Sequence, residues 1–559
     1  MGRAARRGGY GYIALYLFPL LFLGMFFFFP LASILGEGLT DEQGKLTFSR
    51  VAGVISDPYH LRIIGFTVEQ ALISTAASIL LGLPGAYLLA AYRFRGRSLV
   101  KAITTVPFVL PSIIVVLGFV IFFGNAGFLN RMLIALFDLD QPPLRVLYSM
   151  KAIILAHTFY NFPITINLVA ASWSRINPNL ERAAQSLGAR GLRLFATATL
   201  PQILPGILAA AALIFIFCYT SFAVILVLSG GPRFTTIEVE IYRLARVELN
   251  MKAASALAIW QAVFTVAFMY LYNLAQRRAS FSDAQIRFEP RPLRGLLRSP
   301  SGPLVVLYLA AVFLLIIAPM LSAVHYSFLR RTSHAAALSY TLRWYRLLFT
   351  GNEARTLAVT YLGAIRNSLL FGLLTVVFSV PLGTAIAYLT RRRGGILESV
   401  AMLPLGISTI MLGLGYIKLS QAGLWDLAGK WYGIAFAHTV IAYPFVVRSA
   451  SAVFRRISPT VVRAARSLGA NRWRAFWRVE LPLIRTGLIA GATFAFAISI
   501  GEINATLMLY DPGLTTMPIA IYRLISAYNY FGACALGTVL MLLCFGVFFI
   551  IDKLGVEVT

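Results

Sequence analysis

The sequence predicts an all-α polytopic membrane protein of about twelve transmembrane helices, built as two parallel six-helix repeats. Three observations support this prediction: an apolar composition, apolar runs long enough to cross a bilayer, and an internal repeat. Of the 559 residues, 59% are hydrophobic and 13% are charged, and the mean hydropathy is +0.78. Because a soluble domain carries about 25% charged residues, this chain cannot cover a globular surface with polar groups.

Apolar runs of about 20 residues recur along the whole chain, and each can cross a bilayer as a helix whose backbone groups pair internally. The predicted spans lie near residues 11–35, 65–92, 102–124, 152–172, 204–229, 253–275, 303–326, 367–390, 397–417, 431–452, 484–510 and 531–551. The first run is too long for the apolar region of a signal peptide, and no clear cleavage site follows it. We therefore expect it to be a retained helix.

The basic residues predict the orientation of these helices. Short loops on one side hold most of the Lys and Arg: Arg3, Arg6 and Arg7, then residues 93–101, 175–193, 277–298, 391–393 and 455–485. Such loops stay cytoplasmic, so an even number of spans places both termini in the cytoplasm. The net charge of +28 is then mainly a topology signal. The lipid bilayer is the expected partner of these residues, and a nucleic acid is not.

The two halves of the chain are copies of one another. The segment Arg182 to Ala189, RAAQSLGA, returns 281 positions later as Arg463 to Ala470, RAARSLGA. His157 and His438 repeat at the same offset. Since six helices separate equivalent points, the copies have the same orientation in the membrane. We predict a first half at residues 1–276, a basic cytoplasmic linker at 277–302, and a second half at 303–559.

The most patterned stretch of each half lies in a predicted cytoplasmic loop between the fourth and fifth helices. Glu181 to Leu187 has the pattern of a short helix, and Gly188 supplies the backbone angle of a helix end. Residues 190–198 predict a second short helix, and Pro201 marks the return into the membrane. One such loop in each half favours docking to two copies of a partner.

These loops resemble the signature of the permease subunits of ABC importers, Glu-Ala-Ala-x3-Gly-x9-Ile-x-Leu-Pro. The matching residues are Arg182, Ala183, Ala184, Gly188, Leu200 and Pro201, and again Arg463, Ala464, Ala465, Gly469, Leu481 and Pro482. The resemblance implies the type I ABC importer permease fold, in which these loops couple to two copies of an ABC ATPase subunit. Arginine replaces the signature glutamate in both halves, and Glu181 lies one position earlier.

Over its full length the chain resembles the fused, two-half permeases of thiamine and ferric iron importers. The segment 221–238 is more similar to thiamine permeases, whereas 501–504 and 514–516 suit either group. The resemblance implies a bacterial inner-membrane path for a small cationic solute, delivered by a periplasmic or lipoprotein substrate-binding protein. Thiamine is the expected solute, and a ferric iron importer permease is the alternative. The outer segments 230–250 and 511–530 would form part of the docking and gating surface.

The sequence contains no Gly-x4-Gly-Lys-Ser/Thr phosphate-binding loop, so ATP and Mg²⁺ are expected on a separate ATPase subunit. We assign no catalytic residue, no metal ligand and no cofactor to this chain, and we expect a transport subunit rather than an enzyme. The alternative class is an ion-driven secondary transporter with parallel repeats. That class needs no paired docking loops.

Four residues are candidates for the translocation path. Glu502 lies beside Asn504 in the predicted fifth helix of the second half, where an unpaired carboxylate would be costly in lipid. An offset of 280 makes Phe222 its equivalent, next to Ser221. One acidic and one aromatic wall would suit a cation, and pairing with a basic neighbour is the structural alternative. For the two repeated histidines we favour helix–helix hydrogen bonds over a ligand site.

Overall fold

The computed structural model describes residues 15, 17–41, 43–94, 97, 100, 110–279, 291–293, 296, 300, 302–331, 338–350, 360–391 and 396–553. Arg3, Arg6 and Arg7, most of the predicted linker 277–302 and the start of the predicted third span lie outside the described residues.

The described residues are mainly helical. The helices are α1 (Leu17–Gly38), α2 (Ser49–Ser56), α3 (Pro58–Ala91), α4 (Ser112–Phe123), α5 (Phe128–Phe137), α6 (Met150–Trp173), α7 (Pro178–Ser186), α8 (Gly191–Tyr219), α9 (Ala223–Leu228), α10 (Ile237–Arg246), α11 (Met251–Ala279), α12 (Gly302–Ser327), α13 (Arg343–Thr350), α14 (Tyr361–Thr390), α15 (Ile396–Met402), α16 (Thr409–Gln421), α17 (Trp431–Phe454), α18 (Pro459–Ser467), α19 (Trp473–Gly501), α20 (Asn504–Leu509), α21 (Met517–Ser526) and α22 (Tyr530–Lys553).

Short strands and turns of other helix types join these helices. Strand β1 (Tyr92–Arg93) pairs in parallel with β2 (Arg291–Pro292), and β3 (Leu329–Arg331) pairs antiparallel with β4 (Leu338–Tyr340). Turns of 3₁₀ helix lie at Pro232–Phe234, Leu403–Gly406 and Pro512–Leu514, and π-helical turns lie at Gly24–Phe28, Phe195–Thr199 and Phe476–Glu480.

The number of membrane-crossing helices confirms the prediction of about twelve spans. Within the described residues, 11 helices are long and apolar enough to cross a membrane. The number rises to 12 if α15 with its 3₁₀ turn and α16, which meet at an angle of 94°, are counted together as one span. The predicted continuous span at 397–417 is therefore wrong in its middle. Pro404 lies in the 3₁₀ turn at the break, and the hydroxyl of Ser408 accepts the N–H of Met411 as α16 begins.

The helices pack into two compact units. The first unit contains residues 53–240 and 260–326, and the second contains residues 1–52, 241–259 and 327–558. Helix α1 thus belongs to the unit formed mostly by the predicted second half, and α12 belongs to the unit formed mostly by the first. The first helix of each predicted half therefore belongs to the unit formed mostly by the other half. The repeat in the sequence follows chain order and shows no such exchange.

Helices α3, α6 and α8 form the core of the first unit. Small residues bring the helices together: a Cβ on Gly82 would lie 2.5 Å from the Cβ of Thr165 and 2.9 Å from the carbonyl oxygen of Phe162. Helix α12 approaches α4 in the same way, with the Pro319 carbonyl oxygen 3.0 Å from a Cβ built on Gly118. Without a hydrophobic driving force between helices in lipid, such backbone approach is a principal source of association.

In the second unit α1 packs against α16, with a close backbone approach, a hydrogen bond and an ion pair between them. A Cβ on Gly415 would lie 2.7 Å from the carbonyl oxygen of Pro30, so only glycine allows the approach. Tyr416 donates its hydroxyl to the carbonyl oxygen of Phe26, 2.9 Å away, inside the π-helical turn. Lys418 Nζ lies 2.7 Å from Glu37 Oε2. A π-turn interrupts the regular ladder and makes carbonyl groups available to other donors.

We predict that Gly415→Val weakens the second unit by about 1–3 kcal/mol, because overpacking forces the backbone of α1 away from α16. Thermal unfolding of the purified protein in detergent measures the change. Gly546→Val is the matched control, since a Cβ at Gly546 of α22 meets nothing within 4 Å. Equal melting temperatures for the two variants would contradict this account of the α1 contact.

Candidate functional site

The two patterned loops, which we call the motif loops (residues 174–199 and 455–480), have the same backbone. In the first, Asn177 Oδ1 accepts the N–H of Asn179 at 3.0 Å, and Pro178 opens α7. In the second, the Ser458 hydroxyl accepts the N–H of Thr460 at 3.3 Å, and Pro459 opens α18. These are the capping residue and N1 proline expected of a helix start. The predicted short helix is present in both loops.

Glycine ends both helices because the backbone there is left-handed. Gly188 has a φ of 84° and Gly469 a φ of 85°, and a Cβ at either position would meet nothing within 4 Å. The requirement is therefore conformational rather than steric crowding. The N–H of Ala189 bonds the carbonyl of Ala184, and that of Ala470 bonds Ala465, which completes a Schellman-type end.

Each motif loop presents an apolar knob in a polar surface. Leu187 is 87% exposed and its equivalent Leu468 is 88% exposed. Leu192 and its equivalent Trp473 are exposed as well. Such repeat-matched apolar side chains are typical of a protein contact surface. The small residues Ala183 and Ala464 are also exposed, so another protein can approach the helix backbone closely.

The arginine at the signature position is exposed in both motif loops, whereas Glu181 bonds within its own loop. Glu181 faces back into the loop, where its Oε1 accepts the Thr199 hydroxyl at 2.5 Å. Arg182 and Arg463 lie on the exposed side, and Arg463 donates to the Thr460 hydroxyl at 3.3 Å. The motif surface is therefore basic in both halves, and Glu181 does not take the place of the signature glutamate on it.

The predicted second short helix at 190–198 is wrong as a separate element. Residues 191–219 form one helix, α8, and a π-helical turn at Phe195–Thr199 lies just before Leu200 and Pro201. The same turn precedes Leu481 and Pro482. Proline cannot donate the regular hydrogen bond, and the chain adapts by letting Leu200 N–H bond the carbonyl of Phe195, five residues back.

A buried ion pair fixes the second motif loop to the end of α14. Arg391 Nη1 contacts Glu480 Oε1, with side-chain exposures of 17% and 3%. The Arg391 guanidinium also lies 3.9 Å from the centre of the Tyr388 ring, a cation–π contact. The equivalent of Glu480 in the first loop is Thr199, which bonds Glu181 instead. The two loops thus share a backbone and differ in how they are held.

The fifth span of each half is broken, contrary to the predicted continuous helices at 204–229 and 484–510. Helix α8 ends at Tyr219 and α9 begins at Ala223; α19 ends at Gly501 and α20 begins at Asn504. Helices α9 and α20, which follow the breaks, begin 281 positions apart, and at this offset Ser221 is the equivalent of Glu502. The predicted pairing of Glu502 with Phe222 is wrong, because the one-residue shift occurs later, between α9 and the following 3₁₀ turn.

In the second unit, Glu502 caps the helix that follows the break. Its Oε1 accepts the N–H of Ala505 at 3.0 Å, and its Oε2 accepts the N–H of Thr506 at 3.0 Å and the Thr506 hydroxyl at 2.9 Å. The carboxylate thereby satisfies backbone donors that have no partner within a helix start. The amide oxygen of Asn504 is buried without a hydrogen-bond partner within the described residues.

A histidine holds each break against the fourth span. In the first unit His157 lies 2.8 Å from the Ser221 hydroxyl and 3.2 Å from that of Ser74. In the second unit His438 lies 2.7 Å from the hydroxyls of both Ser499 and Thr506. Both rings are buried. These contacts agree with the prediction of helix–helix hydrogen bonds at the repeated histidines.

Helices α10 and α21, the next short helices after α9 and α20, are each fixed by a hydroxyl group from the second span of their half. The N–H of Ile237 in α10 bonds the hydroxyl of Thr67, and the N–H of Met517 in α21 bonds that of Ser368. Within the second unit, burial and the neighbouring Tyr522 and Tyr510 raise the pKa of Tyr242 to about 12.

Sequence reasoning missed several polar residues of these sites. Glu238 and Glu240 were placed in an outer loop, yet both are buried, and they accept hydrogen bonds from Gln261 and Tyr59. Their position in a helix between apolar segments was an available signal. No sequence signal indicated the ion pair between Arg391 and Glu480, because 89 residues separate them.

The comparisons with known proteins agree with the repeated architecture. The family model described as "Binding-protein-dependent transport system inner membrane component" matches residues 78–281 and again 354–555. The thiamine transport system permease protein ThiP of Haemophilus influenzae is 26% identical over 502 residues, covering 88% of this chain and 88% of the relative. That of Escherichia coli K12 is 27% identical over 507 residues, covering 90% of each.

Solved structures also match. The crystal structure of a bacterial ABC transporter involved in the import of the acidic polysaccharide alginate contains a chain that is 23% identical to this one. The match covers 50% of this chain and 98% of that chain, with a TM-score of 0.40.

We predict that Glu480→Gln destabilises the protein by about 3 kcal/mol, because it leaves a buried guanidinium without its charge partner. The double variant Arg391→Met/Glu480→Leu should lose less than either single change, since apolar side chains can replace a buried pair. Denaturant or thermal unfolding in detergent measures both.

Glu398→Gln is the control for this pair. Glu398 pairs with Arg455, which is 64% exposed, and exposed pairs contribute little. If Glu398→Gln reduced the stability as much as Glu480→Gln, burial would not determine how much these ion pairs contribute to stability.

Proposed function

Because the chain belongs to the family of binding-protein-dependent transport system inner membrane components, we propose that it is the permease of an ATP-driven thiamine importer. The observation that supports the solute is the similarity to thiamine permeases at 26–27% identity over about nine tenths of both chains. A substrate-binding protein would deliver the cation on the outer side. Two copies of an ATPase carrying ATP and Mg²⁺ would bind on the cytoplasmic side, where both termini would also lie.

We propose the two motif loops as the ATPase docking sites. Each offers a capped short helix with exposed small residues, an exposed leucine at 187 or 468, and a basic surface that includes Arg182 or Arg463. The leucines would enter an apolar hollow, and the arginines would face acidic groups on the ATPase. Closure of the ATPase pair would then move both loops, and a rigid-body change of access would follow.

We propose that the broken fifth spans line the translocation path. Ser221 and Phe222 lie at the break in the first unit, and Glu502 and Asn504 lie at the break in the second. Half-helix ends that meet within a membrane provide polar groups at the level of a substrate site. Glu502 combines a capping role with a negative charge that a cationic solute would pass.

We expect Leu187→Asn and Leu468→Asn to reduce co-purification of the ATPase together with transport, because each removes an apolar contact from one docking site. The double variant should retain roughly a tenth or less of the bound ATPase. Leu424→Asn is the control, since Leu424 is 58% exposed in the turn after α16, outside the motif loops. ATPase binding that survives the double change would contradict docking at these leucines.

We expect vesicles that contain this chain, the ATPase and a thiamine-binding protein to accumulate labelled thiamine only with internal ATP. Glu502→Gln should reduce uptake by roughly tenfold or more if the carboxylate lines the path, while the bound ATPase remains. Uptake without ATP or ATPase would favour a secondary transporter. Uptake of ferric iron but not thiamine would contradict the solute, and unchanged uptake by Glu502→Gln would remove this residue from the path.

A further inference from the structure

An apolar cavity, which we call the α3–α12 cavity, lies in the first unit between the end of α3, helices α6 and α12, and the chain beside β1 and β2. It encloses about 400 Å³, counted out to its open mouth, and its walls are almost entirely apolar. Leu88 and Leu89 of α3, Ile166 of α6 and Leu309 of α12 are among the residues that line it. All of its lining residues belong to the first unit.

The walls of the cavity are held apart by fixed contacts, which limits closure by local repacking. Tyr308 of α12 donates its hydroxyl to the carbonyl oxygen of Leu81 in α3 at 2.9 Å. A Cβ on Gly85 would lie 2.6 Å from that hydroxyl and 2.7 Å from Cδ1 of Ile166, so glycine admits both side chains. Apolar walls offer water no hydrogen bonds, and their atoms lose packing contacts while the space is empty. The cavity therefore favours an apolar occupant.

Two arginines without a carboxylate partner in the described part of the chain follow α3. Arg97 donates from Nη2 to the carbonyl oxygen of Leu89, a cavity residue, at 2.6 Å. Its buried Nε has no hydrogen-bond partner within the described residues. Phe94 and Val100, three positions to either side of Arg97, also line the cavity, and Arg93 is exposed. A positive charge with a free donor thus lies beside the cavity wall.

The second half shows how such a charge can be compensated within the chain. Arg391 follows α14, the second span of that half, and pairs with Glu480 of the second motif loop. In the first half Thr199 stands at the position of Glu480, so the arginines that follow α3 lack the equivalent carboxylate. An anion from outside the chain can take its place.

The position of the cavity selects the occupant. The rings of Tyr87, near the end of α3, and Trp173, at the end of α6, lie 5.1 Å apart, so the cavity lies near the start of the first motif loop. On the outer surface of α12, Leu304 and Leu307 are 68% and 66% exposed, as expected of residues that face acyl chains. Residues 93–101 contain four basic residues and no acidic one, a pattern that attracts anionic lipid.

We infer that one anionic phospholipid binds to the first unit, with an acyl chain in the α3–α12 cavity and its phosphate on Arg93 and Arg97. The phosphate supplies an acceptor for the free Nε of Arg97, and guanidinium groups suit phosphate geometry. The acyl chain supplies the packing contacts that the walls lack. The lipid would also contact Leu293, a cavity residue in the segment that joins the two halves. This site does not depend on the solute that the protein carries.

The first test titrates the full chain in detergent with dioleoyl phosphatidylglycerol and counts bound lipids by native mass spectrometry. One lipid should bind more tightly than the rest. Phosphatidylcholine with the same chains should bind roughly fivefold more weakly or worse, because it has no net charge. Arg93→Gln and Arg97→Gln should each weaken the tight phosphatidylglycerol site by roughly fivefold, and the double variant by roughly 25-fold.

Arg145→Gln is the matched control for these charge changes, because Arg145 is exposed in the loop between α5 and α6. It should bind phosphatidylglycerol as the unaltered chain does. Equal binding of the two lipids, or an equal loss in Arg145→Gln, would overturn the inference.

The second test fills the cavity. Leu309→Trp, and Val312→Phe as a smaller filling, should abolish the tight lipid site, whereas Leu307→Trp on the exposed surface of α12 should keep it. Added phosphatidylglycerol should raise the melting temperature of the unaltered chain and of Leu307→Trp, and should not raise that of the filled variants. Unchanged lipid binding in both filled variants would remove the acyl chain from the cavity.

A competition experiment separates a lipid from a free phosphate. Glycerol 3-phosphate, which has the phosphate without acyl chains, should not displace phosphatidylglycerol from the full chain. Displacement at similar concentrations would show that the arginines bind a soluble phosphate and would overturn the lipid site. None of these readouts uses transport, so their results are independent of the proposed importer function.

Discussion

The structure depends on one constraint, which is that a backbone polar group in an apolar environment must find a hydrogen-bond partner. Long helices meet this constraint by themselves, and each interruption requires a donor or acceptor from elsewhere in the chain. At the π-helical turn of α1, Tyr416 donates to the carbonyl of Phe26. At the break in the second half, Glu502 accepts the first free N–H groups of α20. The positions of polar side chains therefore follow the positions of irregular backbone.

This relation accounts for the asymmetry between the halves. The backbone architecture repeats closely, from the capped motif helix to the break in the fifth span. The side chains at these backbone positions differ between the halves. Ser221 lies at the break where the second half has Glu502, and Thr199 lies where the second half has Glu480. A fused chain can change the polar groups of one half independently, because only the geometry has to be kept in both. Charge at the fifth-span break is thereby confined to one half.

The motif loops show how much of a site can be predicted from a pattern. The short helix, its glycine end and its duplication were predicted because they depend on residues close together in sequence. The direction of Glu181 was open, since its contact with Thr199 lies across the loop. The prediction of a separate helix at 190–198 was wrong, because a π-turn accommodates the proline within a continuous helix. The sequence pattern is the same for a proline that begins a new helix and for a proline inside a continuous one.

The number and approximate positions of the spans and the motif helices could be predicted from the sequence, because hydropathy and capping act within about 20 residues. The repeat could be predicted because the two copies keep nearly the same residues 281 positions apart. Tertiary structure decided which helices pack together, including the placement of α1 with α16 and of α12 with α4. It also decided the partners of Glu480 and Glu502 and the register that makes Ser221 the counterpart of Glu502. These outcomes depend on close approach between residues distant in the chain, at a glycine or across a buried ion pair, and no local pattern encodes such an approach.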